Sequence, residues 1–212
     1  MMKIHKAIST FEGVIKEYNQ SYAGGLKKEL DHYRQLSKIA NVNAEKIAKE
    51  LLTGSHQRYL NFSQAKAFKD QAARKLAEAK LWDKSFPDFE SLYDAVCDTI
   101  EGIPYIKDLV KYDVTKRLGV MFTPEIAPKD YVYIQNGAKI GAEKLLGASF
   151  DGVRCIPRSR LEPFFPDLSS VDIENILCIM KDYFCLEAVC MQQSDVVVLC
   201  DCDFDYDCLK DS

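Results

Sequence analysis

The sequence predicts a mainly α-helical protein with a small β-hairpin at its C-terminus. Apolar residues recur three and four positions apart through most of the chain, the period of an amphipathic helix face. Glycines and prolines cut that pattern into helix-length pieces. The period changes only near the end. There Leu186–Met191 and Val196–Leu199 are β-prone and are separated by the polar residues 192–195.

The first helix is expected over 3–20, where Ile4, Ile8, Phe11, Ile15 and Tyr18 share a face and Gly24 and Gly25 supply the stop. A second follows over 26–40, with Leu26, Leu30, Tyr33, Leu36 and Ile39 in register. Asn43 is placed to cap a short helix running to Leu52. From Ser63 to about Leu81 the chain is rich in Ala, Lys and Glu, strong helix formers. Pro87 and Asp88 precede a helix whose Phe89, Leu92, Tyr93, Val96 and Ile100 line one side.

Gly102, Ile103 and Pro104 break that helix, and the next is expected over 105–119, stopped by Gly119. Tyr131–Ile134 is a short apolar piece that suits either a strand or a helix start. Residues 137–146 form a helix carrying Gly137, Ala138, Gly141 and Ala142, small enough to let a neighbouring backbone approach closely. Ser169 and Ser170 cap a final helix to about Tyr183. These elements read as one helical domain over 1–185, with N-terminal helices over 1–54 and a core over 55–185. An acidic, cysteine-rich extension follows over 186–212.

Of the 212 residues 47% are hydrophobic, which is enough for a packed core and excludes wholesale disorder. No apolar run approaches the ~20 residues that cross a bilayer, and no signal-peptide segment follows Met1. A cytoplasmic protein without membrane contact is expected. The net charge of −4 conceals a gradient. Residues 103–160 carry 10 basic against 6 acidic side chains, and residues 161–212 carry 2 against 12. The middle can therefore meet phosphate, and the tail can repel it or mimic it.

The eight cysteines do not suggest a disulfide framework, because no export signal accompanies them. Cys97, Cys155 and Cys178 read as small buried apolar residues. The spacing Cys200-x-Cys202-x5-Cys208 lacks the paired ligands of a zinc site, and His5, His32 and His56 lie far upstream. No metal and no cofactor is expected. The chain has no P-loop, dinucleotide-binding glycine motif or Gly-x-Ser-x-Gly.

Several ordered motifs carry a family resemblance. They are Ser55–Arg58, Phe89–Tyr93, Glu101–Pro104, Tyr112–Gly119, Tyr131–Tyr133, Asn136–Ala142 and Asp172–Cys178. Over roughly residues 55–183 the pattern resembles a group of uncharacterised bacterial helical proteins related to the helix-hairpin-helix architecture of DNA glycosylases. The resemblance implies a helix-hairpin-helix core at about 87–119, and implies fold rather than activity. Such a hairpin offers backbone N–H groups, at the start of its second helix, to a nucleic-acid phosphate. Gly102 fits the first half of the hairpin; Pro104 stands where a second glycine is usual and has no N–H to donate.

The candidate nucleic-acid contacts are Gly102, Lys107, Lys111, Lys116, Arg117 and Lys139. Lysines exposed on helices contact phosphates as point charges and contribute little to stability. Asp113 is the candidate catalytic carboxylate if the protein releases bases. Its plainer role is an ion pair with Arg117 four residues on. His56, Gln57 and Arg58 form a polar loop that is either a site or a cap for carbonyls left open at Leu51 to Gly54. Tyr131 and Tyr133 could stack on a base, although alternation with Val132 and Ile134 puts at least one of them in the core. Three functions are therefore expected to compete: a nucleic-acid-binding protein, a protein-interaction module with a protein partner, and a base-excision enzyme using Asp113. Clustering of the basic residues on one concave face favours the first.

Overall fold

A computed structural model describes residues 10–39, 43–53 and 66–184. These residues cluster into two compact units. One comprises residues 10–26 and 129–184; the other comprises the described residues of 27–128. The expected C-terminal hairpin, the acidic tail and the loop of His56, Gln57 and Arg58 lie outside the described residues.

The larger part of the second unit is a helical bundle. Helix α1 spans Phe11–Ser21 and belongs to the other unit; α2 spans Ala23–Leu36, α3 Ala44–Leu51 and α4 Lys66–Ala79. Helix α5 spans Phe89–Ile100 and α6 spans Asp108–Gly119. The predicted face of α5 is the buried one, with Phe89, Leu92, Tyr93, Val96 and Ile100 all inside. Asp88 Oδ1 accepts the Ser91 N–H at 2.8 Å and fixes where the helix begins. Asn43 does the same for α3 through Glu45 N–H at 2.7 Å. Each such cap stabilises its helix by about 1 kcal/mol. The core joins Leu51, Leu76, Leu92, Val96, Val114 and Leu118, all from different turns of α3 to α6.

Two helix boundaries differ from the sequence reading. Helix α1 starts at Phe11, because Thr10 is extended and its hydroxyl accepts the Gly13 N–H at 3.0 Å. The break after α1 falls at Tyr22, and Gly24 and Gly25 lie inside the first turn of α2. Glycine in a helix costs about 1 kcal/mol relative to alanine. Burial of Tyr33 and Leu36 further along α2 offsets that cost.

The first unit packs α1, α7 (Gly137–Leu146) and α8 (Ser170–Ile179) around a two-stranded antiparallel ribbon. The ribbon pairs β1 (Tyr131–Tyr133) with β2 (Cys155–Pro157), Tyr131 opposite Pro157 and Tyr133 opposite Cys155. Tyr131–Ile134 is therefore strand-like, not the start of a helix. Val132 and Ile156 are buried in the core, so the ribbon has only one outer face. The small residues of α7 do what their spacing implies. A Cβ on Gly141 would overlap the Leu177 carbonyl of α8, and one on Gly137 would meet Cys178 Sγ. Ser169 caps α8 through the Asp172 N–H, as expected, but the helix stops at Ile179 and a 3-10 turn covers Lys181–Tyr183. Cys97, Cys155 and Cys178 are only half-buried.

Candidate nucleic-acid interface

Residues 101–107 connect α5 to α6. Gly102 turns the chain with φ 72°, a backbone state that suits glycine, and open space surrounds it. The second helix begins later than the expected residue 105. Helix α6 starts only at Asp108, and the Lys107 carbonyl accepts from the Val110 and Lys111 N–H groups. The physical reason is that Ile103 and Ile106 are both buried. The extra residues between them carry the reversal, with Tyr105 at φ 66° and 64% exposed.

The basic residues of α6 are not presented alike. Lys107 is exposed at the N-cap and makes no ion pair among the described residues. Lys111 is buried, with its ammonium 2.5 Å from a Glu101 carboxylate oxygen and 3.8 Å from Asp108. Glu101 and Asp108 themselves face solvent, so this end of the helix presents carboxylates and turns its lysine inward. Burial pulls the Lys111 pKa down, but the Glu101 hydrogen bond and the surrounding charges outweigh it and leave the ammonium above its ordinary value. The same lysine holds the Glu101 carboxyl below the usual range. Lys111 is thus no exposed point charge, contrary to the expectation of a lysine open to phosphate.

Arg117 is also inside. Its Nη1 donates to the Leu51 carbonyl at 2.7 Å, and Nε and Nη2 donate to Glu29 Oε1 at 2.8 and 2.6 Å. The guanidinium lies 5.5 Å over the Tyr33 ring. Tyr33 Oη donates to the Glu50 and Thr53 carbonyls. The carbonyls that the sequence reading offered to His56 and Arg58 are thus met in part by Tyr33 and Arg117. Lys116 pairs with Asp113, three residues before it, at 3.0 Å and covers the Tyr112 ring. A cleft of about 370 Å³ in this unit is walled by Leu36, Ile47, Trp82 and Met121 among others, and Asp113 is not part of it. Lys139 belongs to the other unit and pairs with Asp151. Asn136 stands at the N-cap of α7 with φ 43° but makes no side-chain cap.

The ribbon of the first unit carries a second basic group that sequence reasoning passed over. Tyr131 is 46% exposed on its outer face, and Tyr133 on the same face is buried under the Arg154 guanidinium, 5.6 Å from the ring centre. Beyond Pro157 the Arg158 N–H donates to the Asp130 carbonyl at 2.8 Å, which extends the pairing by one step beside Tyr131. The Arg158 side chain has no hydrogen bond or ion pair among the described residues, and its Nε is buried without an acceptor. Arg160 lies 5.4 Å over the Phe150 ring and likewise has no ion pair among the described residues. Residues 129–133 and 154–162 carry Lys129, Arg154, Arg158 and Arg160 against Asp130 and Glu162, a local excess of two positive charges. The available sequence signal was the run Arg154-x3-Arg158-x-Arg160; its link to Tyr131 exists only through strand register.

Among the described residues no helix is long and apolar enough to cross a membrane. The chain matches no family model, no curated protein and no solved structure.

Proposed function

We propose that the protein binds nucleic acid through the ribbon of its first unit, while the hairpin and α6 serve the architecture of the second. The observation that carries this reading is the pair Arg158 and Arg160, cations without carboxylate partners among the described residues, next in the chain to a strand whose neighbour exposes Tyr131. Arginine and an aromatic ring together suit a phosphate backbone and the bases attached to it. Lys111 and Arg117, by contrast, are engaged by Glu101 and Glu29, which supports a structural role for them.

The test is affinity for a labelled oligonucleotide at several salt concentrations. Replacing both Arg158 and Arg160 with Ala should weaken binding and lower the slope of log affinity against log salt by about two. Lys107→Ala, at the hairpin, should leave both unchanged. A parent protein that binds no oligonucleotide at low salt would overturn the reading.

A further inference from the structure

Resting on that reading, we infer that the ribbon is a stacking platform for single-stranded nucleic acid rather than an element that enters a duplex groove. A two-stranded ribbon can enter a major groove when it projects from the protein. This one cannot project, because Val132 and Ile156 fasten one of its faces into the core. The opposite face carries Tyr131, Tyr133, Cys155 and Pro157, of which Tyr131 and Pro157 are exposed.

That face is already organised for stacking. Tyr133 is covered by the Arg154 guanidinium, whereas the paired strand holds Tyr131 in place with nearly half its surface open. An unstacked base has a π-face to offer such a ring; a base inside a duplex has both faces occupied by its neighbours. Arg158, whose backbone N–H pairs with the Asp130 carbonyl beside Tyr131, brings a guanidinium with no partner among the described residues, a cation available to the phosphate of a base on Tyr131. Arg160 adds a second positive charge in the same 3-10 turn. Asp130 and Glu162, the carboxylates in these stretches, leave the local balance positive. Stacking accepts any base, so the platform would show little sequence preference.

The experiment compares the full chain with its Tyr131→Ala, Tyr131→Phe and Tyr131→Trp variants, using a labelled single-stranded oligothymidylate and a duplex of equal length at one salt concentration. The parent should prefer the single strand. Tyr131→Ala should lose about tenfold on the single strand and little on the duplex. Tyr131→Phe should bind like the parent, and the Tyr131→Trp variant should show fluorescence quenching on binding beyond that of the parent. Melting temperatures check that each variant is folded, and the Phe and Trp variants decide the matter if the Ala variant is not. Equal or tighter duplex binding, or Tyr131→Ala within about twofold of the parent on the single strand, overturns the stacking platform and leaves the ribbon as a nucleic-acid site. Absence of binding to either probe, at low salt, overturns both.

Discussion

Arg117 Nη1 donates to the Leu51 carbonyl at 2.7 Å, so the end of α3 is closed by a guanidinium 66 positions further along the chain. Glu29 neutralises that guanidinium, and the Tyr33 ring lies against it. One arginine thereby ties α2, α3 and α6 together. The satisfied arrangement matters more than the charge, because an arginine buried without its partners carries a large desolvation cost.

Removing one side of this arrangement should therefore be severe. Glu29→Ala leaves Arg117 buried with only part of its hydrogen bonding and should cost about 3 kcal/mol. Arg117→Lys should also be costly, since a single ammonium cannot reach the Leu51 carbonyl and Glu29 in the same geometry. Urea denaturation of the two variants beside the parent measures both losses. A loss below about 1 kcal/mol for Glu29→Ala would place the pair among ordinary surface ion pairs.

Tyr33→Phe isolates the neighbouring hydrogen bonds. Two carbonyls, of Glu50 and Thr53, would lose their phenol donor, at an expected cost of about 1 kcal/mol. Burial pushes the Tyr33 phenol up to about 12. Its folded pKa is thus above the unfolded value near 10, so its contribution is complete below about pH 10 and is lost as pH rises towards 12. Absorbance titration should show close to one tyrosinate fewer at pH ~11 in the parent than in the urea-unfolded chain for each phenol so held.

Acid should weaken the connection between α5 and α6. Lys111 holds the Glu101 carboxyl below its ordinary value, so the folded state binds this proton less readily than the unfolded chain. The sign follows: stability from this pair is present above the unfolded pKa, about 4.3, and falls as pH drops through the lower folded value. Glu101→Gln should shallow the fall of melting temperature below about pH 4.5 relative to the parent. An identical acid limb in both proteins would mean that other carboxylates account for all of it.

Two glycine substitutions should act in opposite directions. Gly141→Ala drives a Cβ into the Leu177 carbonyl where α7 meets α8, a backbone that has little room to retreat, and should cost about 2 kcal/mol. Gly24→Ala places its methyl group in open space within a helix and should add about 0.5 kcal/mol. Thermal melts of the two variants give the comparison directly; a stabilised Gly141→Ala protein would show that the α7–α8 packing has slack.

Information confined to a few neighbouring residues was legible in the chain. Asp88, Asn43 and Ser169 are caps because a short side chain can bond an N–H two or three residues ahead without help from the rest of the molecule. The buried face of α5 and the small-residue face of α7 follow from helical period in the same way. Whether a charged residue faces water is not a local property. Lys107, Lys111 and Arg117 look alike in a sequence of alternating charge, yet one is exposed and two are buried because Glu101 approaches across the hairpin and Glu29 and the end of α3 approach from far along the chain. The exposure of Tyr131 and its proximity to Arg158 are likewise products of strand pairing over more than twenty residues. Caps and faces are written in the local chain; which cations remain available to a partner was decided by the carboxylates and carbonyls that folding brought to them.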